Sequence, residues 1–211
     1  MKVFILFQNT TIPAGGGNQF LRAMDKIFTR KGVRTGSITN ADIILFNSHH
    51  FIQQSAIGKW RFPRKVFIHR IDGPMRLYNS WSDKRDHMVN LAATMISDGT
   101  IFQSQWSRKE NYRLGLHRNN FDVVIHNSVD PEIFNRQGKD PFSGNRKVRL
   151  IATSWSPNPG KGFDVYQWLD QHLDFSRFEM TFVGNSPISF RNHMIKFCLW
   201  NVVYRIKFQG D

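Results

Sequence analysis

Short apolar runs alternate with stretches of helical spacing along most of this chain. Residues 2–7 (KVFILF) are apolar and end at turn-forming residues, the pattern of a strand. Three glycines at 15–17 follow. Residues 18–32 then place Phe20, Leu21, Met24, Ile27 and Phe28 on one helical face, with Asn18 able to cap the start and Gly32 to end it. The same reading predicts strands at 42–47, 65–72, 99–104 and 122–130, and helices at 82–97, capped by Ser82, and at 105–115. Continuous apolar strands separated by helices predict an α/β fold with a parallel sheet covered on both faces.

Residues 135–147 (NRQGKDPFSGNRK) are polar, with Gly and Pro, and read as a linker after a first domain over 1–134. The pattern then restarts over 148–190: a strand at 148–154, the loop WSPNPGKG, a helix at 163–173 and a strand at 178–185. The final stretch, 191–211, departs from the alternation and is expected to be an aberrant, frameshifted or early-ended tail, or a short element covering a sheet edge. Repeats and low-complexity segments are not evident.

Composition narrows the classes. A hydrophobic fraction of 40% and an aromatic fraction of 14% suit a folded globular chain. No apolar run approaches the roughly 18 residues of a membrane span. The run Val3 to Phe7 is shorter than the roughly 7–15 residues of a signal-peptide core, so it is expected to be a strand, and the location cytoplasmic. The single cysteine, Cys198, excludes an internal disulfide or a cysteine-based zinc cluster. The net charge of +13 attracts polyanions: nucleic acid, acidic lipid or phosphorylated substrates. The basic residues are scattered rather than gathered in an arm, so nucleic-acid binding rests on charge alone and is not expected. A steep salt dependence of DNA binding would be its signature.

In open parallel sheets ligands lie outside the C-terminal ends of the strands. Those ends carry Gly15, Gly16, Gly17 and Asn18; Ser48, His49 and His50; His69, Arg70, Asp72, Gly73 and Pro74; Ser104; and His126, Asn127, Ser128 and Asp130. In the second unit they carry Ser154, Trp155, Lys161 and Gly162, then Gly184, Asn185 and Ser186. Each has a plain structural reading beside a functional one. The glycines make a tight turn, or they let a phosphate approach the free N–H groups of a helix; they match neither GxGxxG nor a P-loop. His49 and His50 resemble half a metal site without a third ligand. His69 is a core histidine, or a proton-handling group oriented by Asp72. Lys161 is a surface lysine, or a group awaiting an anion, since a cation at a helix start opposes the dipole.

The order GGG–helix, IHRIDGP, DGTIFQSQWSRK, VIHNSVDPEIFN, ATSWSPNPGKGFDVYQWLD and FVGNSP resembles the retaining glycosyltransferases of family 4, of GT-B fold, over residues 1 to about 191. HNSVDPEIFN is the most specific piece and is similar to an NGVD-x-x-x-F segment, with Ser128 in place of Gly. The resemblance implies two Rossmann-like domains, an acceptor-side first and a nucleotide-sugar-binding second, here incomplete. It implies sugar transfer from a nucleotide-diphosphate donor to a glycan, lipopolysaccharide or glycolipid acceptor, as in polysaccharide biosynthesis. It implies His69 by the sugar, near the anomeric carbon; with Asp72 placed to orient it, the two are the candidate catalytic residues. It implies Gly15, Gly16, Gly17 and Lys161 at the donor diphosphate; the strand-end positions add Asn18, Asn127, Ser154 and Gly184 as donor-binding candidates. Neither metal nor cofactor is implied; the nucleotide-sugar is a substrate. Peripheral contact with an anionic membrane face suits the charge. Two departures stand out: Trp155 and Ser156 occupy the positions where an Arg often precedes the lysine, and the Glu-x7-Glu motif of the donor domain does not occur. The alternative is a non-catalytic remnant or binding module for an acidic partner.

Overall fold

A computed structural model describes residues 1–7, 16–129, 131, 132, 134–138, 143–154, 156–189 and 195–197. Gly15, Asp130, Trp155 and Cys198 lie outside the described residues. The described residues up to 134 and those from 135 onward form two compact units.

The first unit holds β1 (Val3–Leu6), α1 (Gly16–Arg30), β2 (Ile43–Asn47), α2 (Ile52–Arg61), β3 (Val66–Ile71), α3 (Arg85–Met95), β4 (Gly99–Phe102), α4 (Gln105–Arg113) and β5 (Asp122–Val124). The strands lie side by side in the order β1-β2-β3-β4-β5, every pair parallel. On its other side β1 pairs with a stub: Val3 donates to the Val33 carbonyl at 2.8 Å, and Thr35 donates to the Val3 carbonyl at 3.0 Å. The chain therefore leaves β1 for one side of the sheet and returns to the other as β2. That reversal is a topological switch point, and it opens a crevice beyond the C-terminal ends of β1 and β2.

Strand alternation explains why both faces are covered. Ile44, Phe46 and Phe67 pack with Ala41, Ala92 and Ile96 on the α3 side. Val3, Ile5 and Leu45 pack with Leu21 of α1 on the other, joined by Phe20, Met24, Phe28, Ile68 and Ile101. A third cluster of Ile71, Val89, Ala93, Phe102 and Leu116 closes the β4 end. Phe46, Phe67 and Phe102 are wholly buried, and truncating any of them to Ala costs about 3–5 kcal/mol.

The second unit has β6 (Val148–Ser154), α5 (Phe163–His172), β7 (Phe178–Gly184) and β8 (Ile195–Phe197) in a parallel sheet of order β6-β7-β8. Phe163, Met180, Phe182 and Ala152 form its core. β8 lies in the stretch expected to be aberrant; it adds a strand at the β7 edge, in register from Thr181 to Val183.

Several expected boundaries shift. α1 begins at Gly16, so Gly16 and Gly17 form its first turn and Asn18 lies inside it rather than before it. α3 starts at Arg85 rather than near Ser82, because the Asp83 carboxylate takes the Arg85 N–H at 3.0 Å. β4 stops at Phe102 because Ser104 caps α4, accepting from the Ser107 N–H at 3.0 Å. β5 ends at Val124, short of the expected 130. α2 has no counterpart in the sequence reading: Phe51 precedes it in a left-handed conformation, without a side-chain cap.

Candidate functional site at the switch point

Arg70 organises the C-terminal end of the first sheet. It is the last but one residue of β3 and is 2% exposed. One guanidinium nitrogen donates to Asn47 Oδ1 at 2.5 Å and to Asp72 Oδ1 at 2.8 Å. The other donates to Asn127 Oδ1 at 2.8 Å and Gln103 Oε1 at 3.3 Å. Its planar face lies 4.3 Å from the ring of Phe20 on α1. Asn47 donates to Asp72 Oδ2 at 3.3 Å, and Asn127 donates to Gln103 Oε1 at 2.9 Å. One buried cation thus holds polar side chains from β2, the β3 end, the β4 end and the β5 end in one bracket. A planar fork with five donors can do this and an ammonium cannot.

His69 precedes Arg70 and so points to the opposite face. Its ring stacks on Phe46 at 4.3 Å and is fully buried. Nε2 lies 2.8 Å from the Ser48 carbonyl. That oxygen can only accept, so Nε2 carries the proton and Nδ1 the lone pair; Nδ1 has no partner among the described residues. Burial lowers the His69 pKa to about 4, against weaker opposing effects of the Ser48 carbonyl and the Asp72 charge. The imidazole is neutral near pH 7.

Asp72 therefore partners Arg70 and Asn47, not His69. Its backbone is fixed as well: its carbonyl accepts from Ser107 Oγ at 2.9 Å and from Asn111 Nδ2 at 3.0 Å, both on α4. Gly73 follows because a Cβ there would stand 2.7 Å from the Trp106 ring. The Asp72 carboxylate keeps 24% of its side-chain exposure, enough to meet a ligand hydroxyl.

The crevice is a pocket of about 220 Å³ lined by Leu6, Phe7, Asn18, Asn47, His50 and Phe51, among others. The first turn of α1 contains no acidic residue, so no side-chain charge of its own competes with an anion for its N–H dipoles. Gly17 lies against Asn47, where a Cβ would approach Nδ2 at 3.9 Å. A larger cleft of about 550 Å³ runs along α1 past Gly16, Gln19, Phe20, Arg22, Asn127 and Ser128. The His49 and His50 rings lie 4.2 Å apart, tilted by 33°. Burial and the His50 charge lower the His49 pKa. Among the described residues no three His, Cys, Asp or Glu side chains stand close enough to share a metal ion.

In the second unit, Ser154 ends β6 and Gly184 ends β7. Ser154 Oγ donates to the Ser156 carbonyl at 2.8 Å. The Ser154 carbonyl accepts from Asn185 N–H at 2.9 Å and sits where a Gly184 Cβ would be; Gly184 has φ +128°. The following loop is held by its own side chains: Asn158 Oδ1 accepts from Gly160 N–H at 2.9 Å, and Ser156 Oγ from Asn158 N–H at 3.2 Å. A 3-10 turn, Pro159–Lys161, leads to Gly162 at φ +75°, and α5 starts. Lys161 is exposed at that start.

The sequence reading named His69, Asp72 and Asn127 but gave the central part to none of Arg70, Asn47 or Gln103. An arginine directly after an apolar strand run and two residues before an aspartate was the available signal.

No protein-family model and no curated protein matches the chain. Solved structures do match. A structure of OtsA, a trehalose-6-phosphate synthase, is 10% identical with a TM-score of 0.51, over 88% of this chain and 54% of that one. An apo structure of OtsA gives 11% and 0.50 over the same shares. A UDP-N-acetylglucosamine 2-epimerase from Rickettsia bellii is 13% identical over 86% of this chain and 50% of that one, but its TM-score of 0.42 is too low to argue from. The chain spans about half the length of the structures it matches. At these identities the likeness is one of fold, and the fold is α/β of the GT-B type.

Proposed function

We propose that this chain is the first domain and the opening of the second domain of a GT-B glycosyltransferase. Its substrates in this reading are a nucleotide-diphosphate-sugar and a glycan, lipopolysaccharide or glycolipid hydroxyl. The observation that carries the proposal is the Arg70 bracket at the switch-point crevice, beside an α1 start that lacks an acidic side chain.

The bond that breaks joins the anomeric carbon to the donor phosphate oxygen; the bond that forms joins that carbon to the acceptor oxygen, and the acceptor proton leaves to water or phosphate. Negative charge grows on the departing diphosphate. The N–H groups of Gly16, Gly17 and Asn18, together with that of Gly15, are proposed to receive it; Lys161 of the second unit is proposed, on its own, as a donor-phosphate contact. Ser154 and Gly184 are proposed to admit the nucleotide through the close backbone approach they make. Asp72 and Asn127, held at fixed angles by Arg70, are proposed to bind sugar or acceptor hydroxyls. His69 holds the Ser48 carbonyl; its proposed part is to fix the β2–α2 turn, whose His50 and Phe51 line the crevice beside the sugar.

Turnover of UDP-, GDP- and ADP-sugars, read as nucleotide release, tests this reading. Release above background that Lys161→Ala abolishes is the expected result. No release from any donor, with or without glycan acceptors, overturns catalysis by this chain and favours the binding-module alternative.

A further inference from the structure

We propose that the exposed faces of α2 and α3 form a docking surface for an anionic lipid bilayer. This inference stands apart from the glycosyl-transfer reading and uses none of its residues.

α2 and α3 lie side by side and leave a mostly apolar groove of about 420 Å³, lined by Ile52, Ala56, Trp60, Leu91 and Met95, among others. Its rim is unusually apolar for a surface. Trp60 is 84% exposed and Met95 74%; Ile57, three residues before Trp60 on α2, is 64% exposed. Met88 and Leu91 continue the stripe at helical spacing on α3 and are both more than 40% exposed. Scattered exposed apolar residues are ordinary; a contiguous patch from two adjacent helices marks a contact surface.

Charge selects the occupant. Residues 52–65 contain no acidic residue and four basic ones. Lys59 is paired with Asp98 at 2.6 Å, and Lys65 donates to the Thr39 carbonyl at 2.7 Å. Arg61 and Arg64, one and four residues after Trp60, are exposed. An apolar face with an interfacial Trp and flanking arginines fits a headgroup layer that takes Trp at its depth and cations at its anionic surface. A second copy docking patch-to-patch would set Arg61 and Arg64 against themselves within a chain of net charge +13, so like charge opposes that occupant. No helix among the described residues is long and apolar enough to cross a membrane; the mode is attachment at the surface.

Vesicle co-sedimentation tests the proposal. The chain should bind vesicles of equimolar phosphatidylcholine and phosphatidylglycerol and leave pure phosphatidylcholine vesicles largely in solution. Trp60→Ser/Met95→Ser should weaken binding by about tenfold or more. Arg61→Gln/Arg64→Gln should weaken it by a similar factor at low salt, and the difference should shrink as salt rises. Arg136→Gln/Arg149→Gln, equally charge-reducing but elsewhere, should change it less than about twofold. Brominated lipid should quench tryptophan fluorescence, and Trp60→Phe should remove a large part of that quenching. All sites substituted are exposed, so folding is preserved, which circular dichroism checks. Equal loss in the two arginine pairs, or quenching unchanged by Trp60→Phe, overturns the proposal. So does a Trp60-dependent dimer in light scattering without vesicle binding, which would assign the face to a second copy. Nucleotide turnover does not enter any of these readouts.

Discussion

Ser48 is held in the left-handed region, at φ 49°, between two bonds from β3: its N–H donates to the Arg70 carbonyl at 2.7 Å, and its own carbonyl lies 2.8 Å from His69 Nε2. Only Ser48 and Phe51 among the described non-glycine residues have positive φ, and both lie in the turn between β2 and α2. Such a conformation costs about 1–2 kcal/mol for an ordinary residue. It persists because the turn is fixed from beneath. Ser48→Gly should change stability by less than about 1 kcal/mol, since relief of strain offsets added chain entropy. Ser48→Val should destabilise by about 2 kcal/mol, because a branched Cβ resists this region. Urea denaturation of the two variants measures the difference.

The same histidine gives the protein a pH dependence of known sign. Its folded pKa is lowered to about 4, against 6.5 for the ordinary group. Above 6.5 both states are neutral at this site and it contributes no slope. As pH falls below 6.5 the unfolded chain takes up a proton that the folded chain refuses, so stability declines until about pH 4. The loss is on the order of 3 kcal/mol at most. His69→Phe should flatten the part of the urea-midpoint curve between pH 6.5 and 4 while lowering the whole of it, since the Ser48 carbonyl is left unpaired. Parallel curves for wild type and His69→Phe across that window would contradict the assignment.

Arg70 should be the most sensitive polar position of the first unit. Arg70→Ala strands the Asp72 carboxylate and the amide oxygens of Asn47 and Asn127, and should cost about 3–5 kcal/mol. Arg70→Lys keeps the charge but cannot span both Asn47 and Asn127, so it should recover less than half of that loss. Asn127→Ala removes one acceptor and should cost about 1 kcal/mol. The order of the three denaturation midpoints checks the bracket.

Gly184→Ala should damage the second unit selectively. The added Cβ overlaps the Ser154 carbonyl, and φ +128° is closed to alanine. A loss of more than about 2 kcal/mol is expected. Hydrogen exchange should show β6 and β7 amides losing protection while β2 and β3 amides keep theirs. Uniform loss across both units would contradict this localisation.

The sheets were legible in the sequence because parallel strands buried on both faces are written as apolar runs. FILF, IILF and VFIHRI announce themselves without knowledge of their partners. α1 and α5 were legible from apolar spacing, though α1 absorbed two glycines expected to precede it. α2 was not legible: its entry at Phe51 carries no capping side chain, and its apolar residues Ile57 and Trp60 point outward. The candidate site was legible as a place rather than as a mechanism. Strand ends located His69, Asp72 and Asn127. Which of them touch depended on the period of two, which puts Arg70 on the α1 face and His69 on the other. The bracket also depended on reach across four strands, which sequence spacing does not report.

The central proposal is that the α1 start receives a nucleoside diphosphate. Amide chemical shifts during titration with UDP, GDP and ADP test it directly. The account predicts saturable shifts with at least one of the three at Gly16, Gly17 and Asn18. Unmoved amides at these residues with all three nucleotides at millimolar concentration would contradict it.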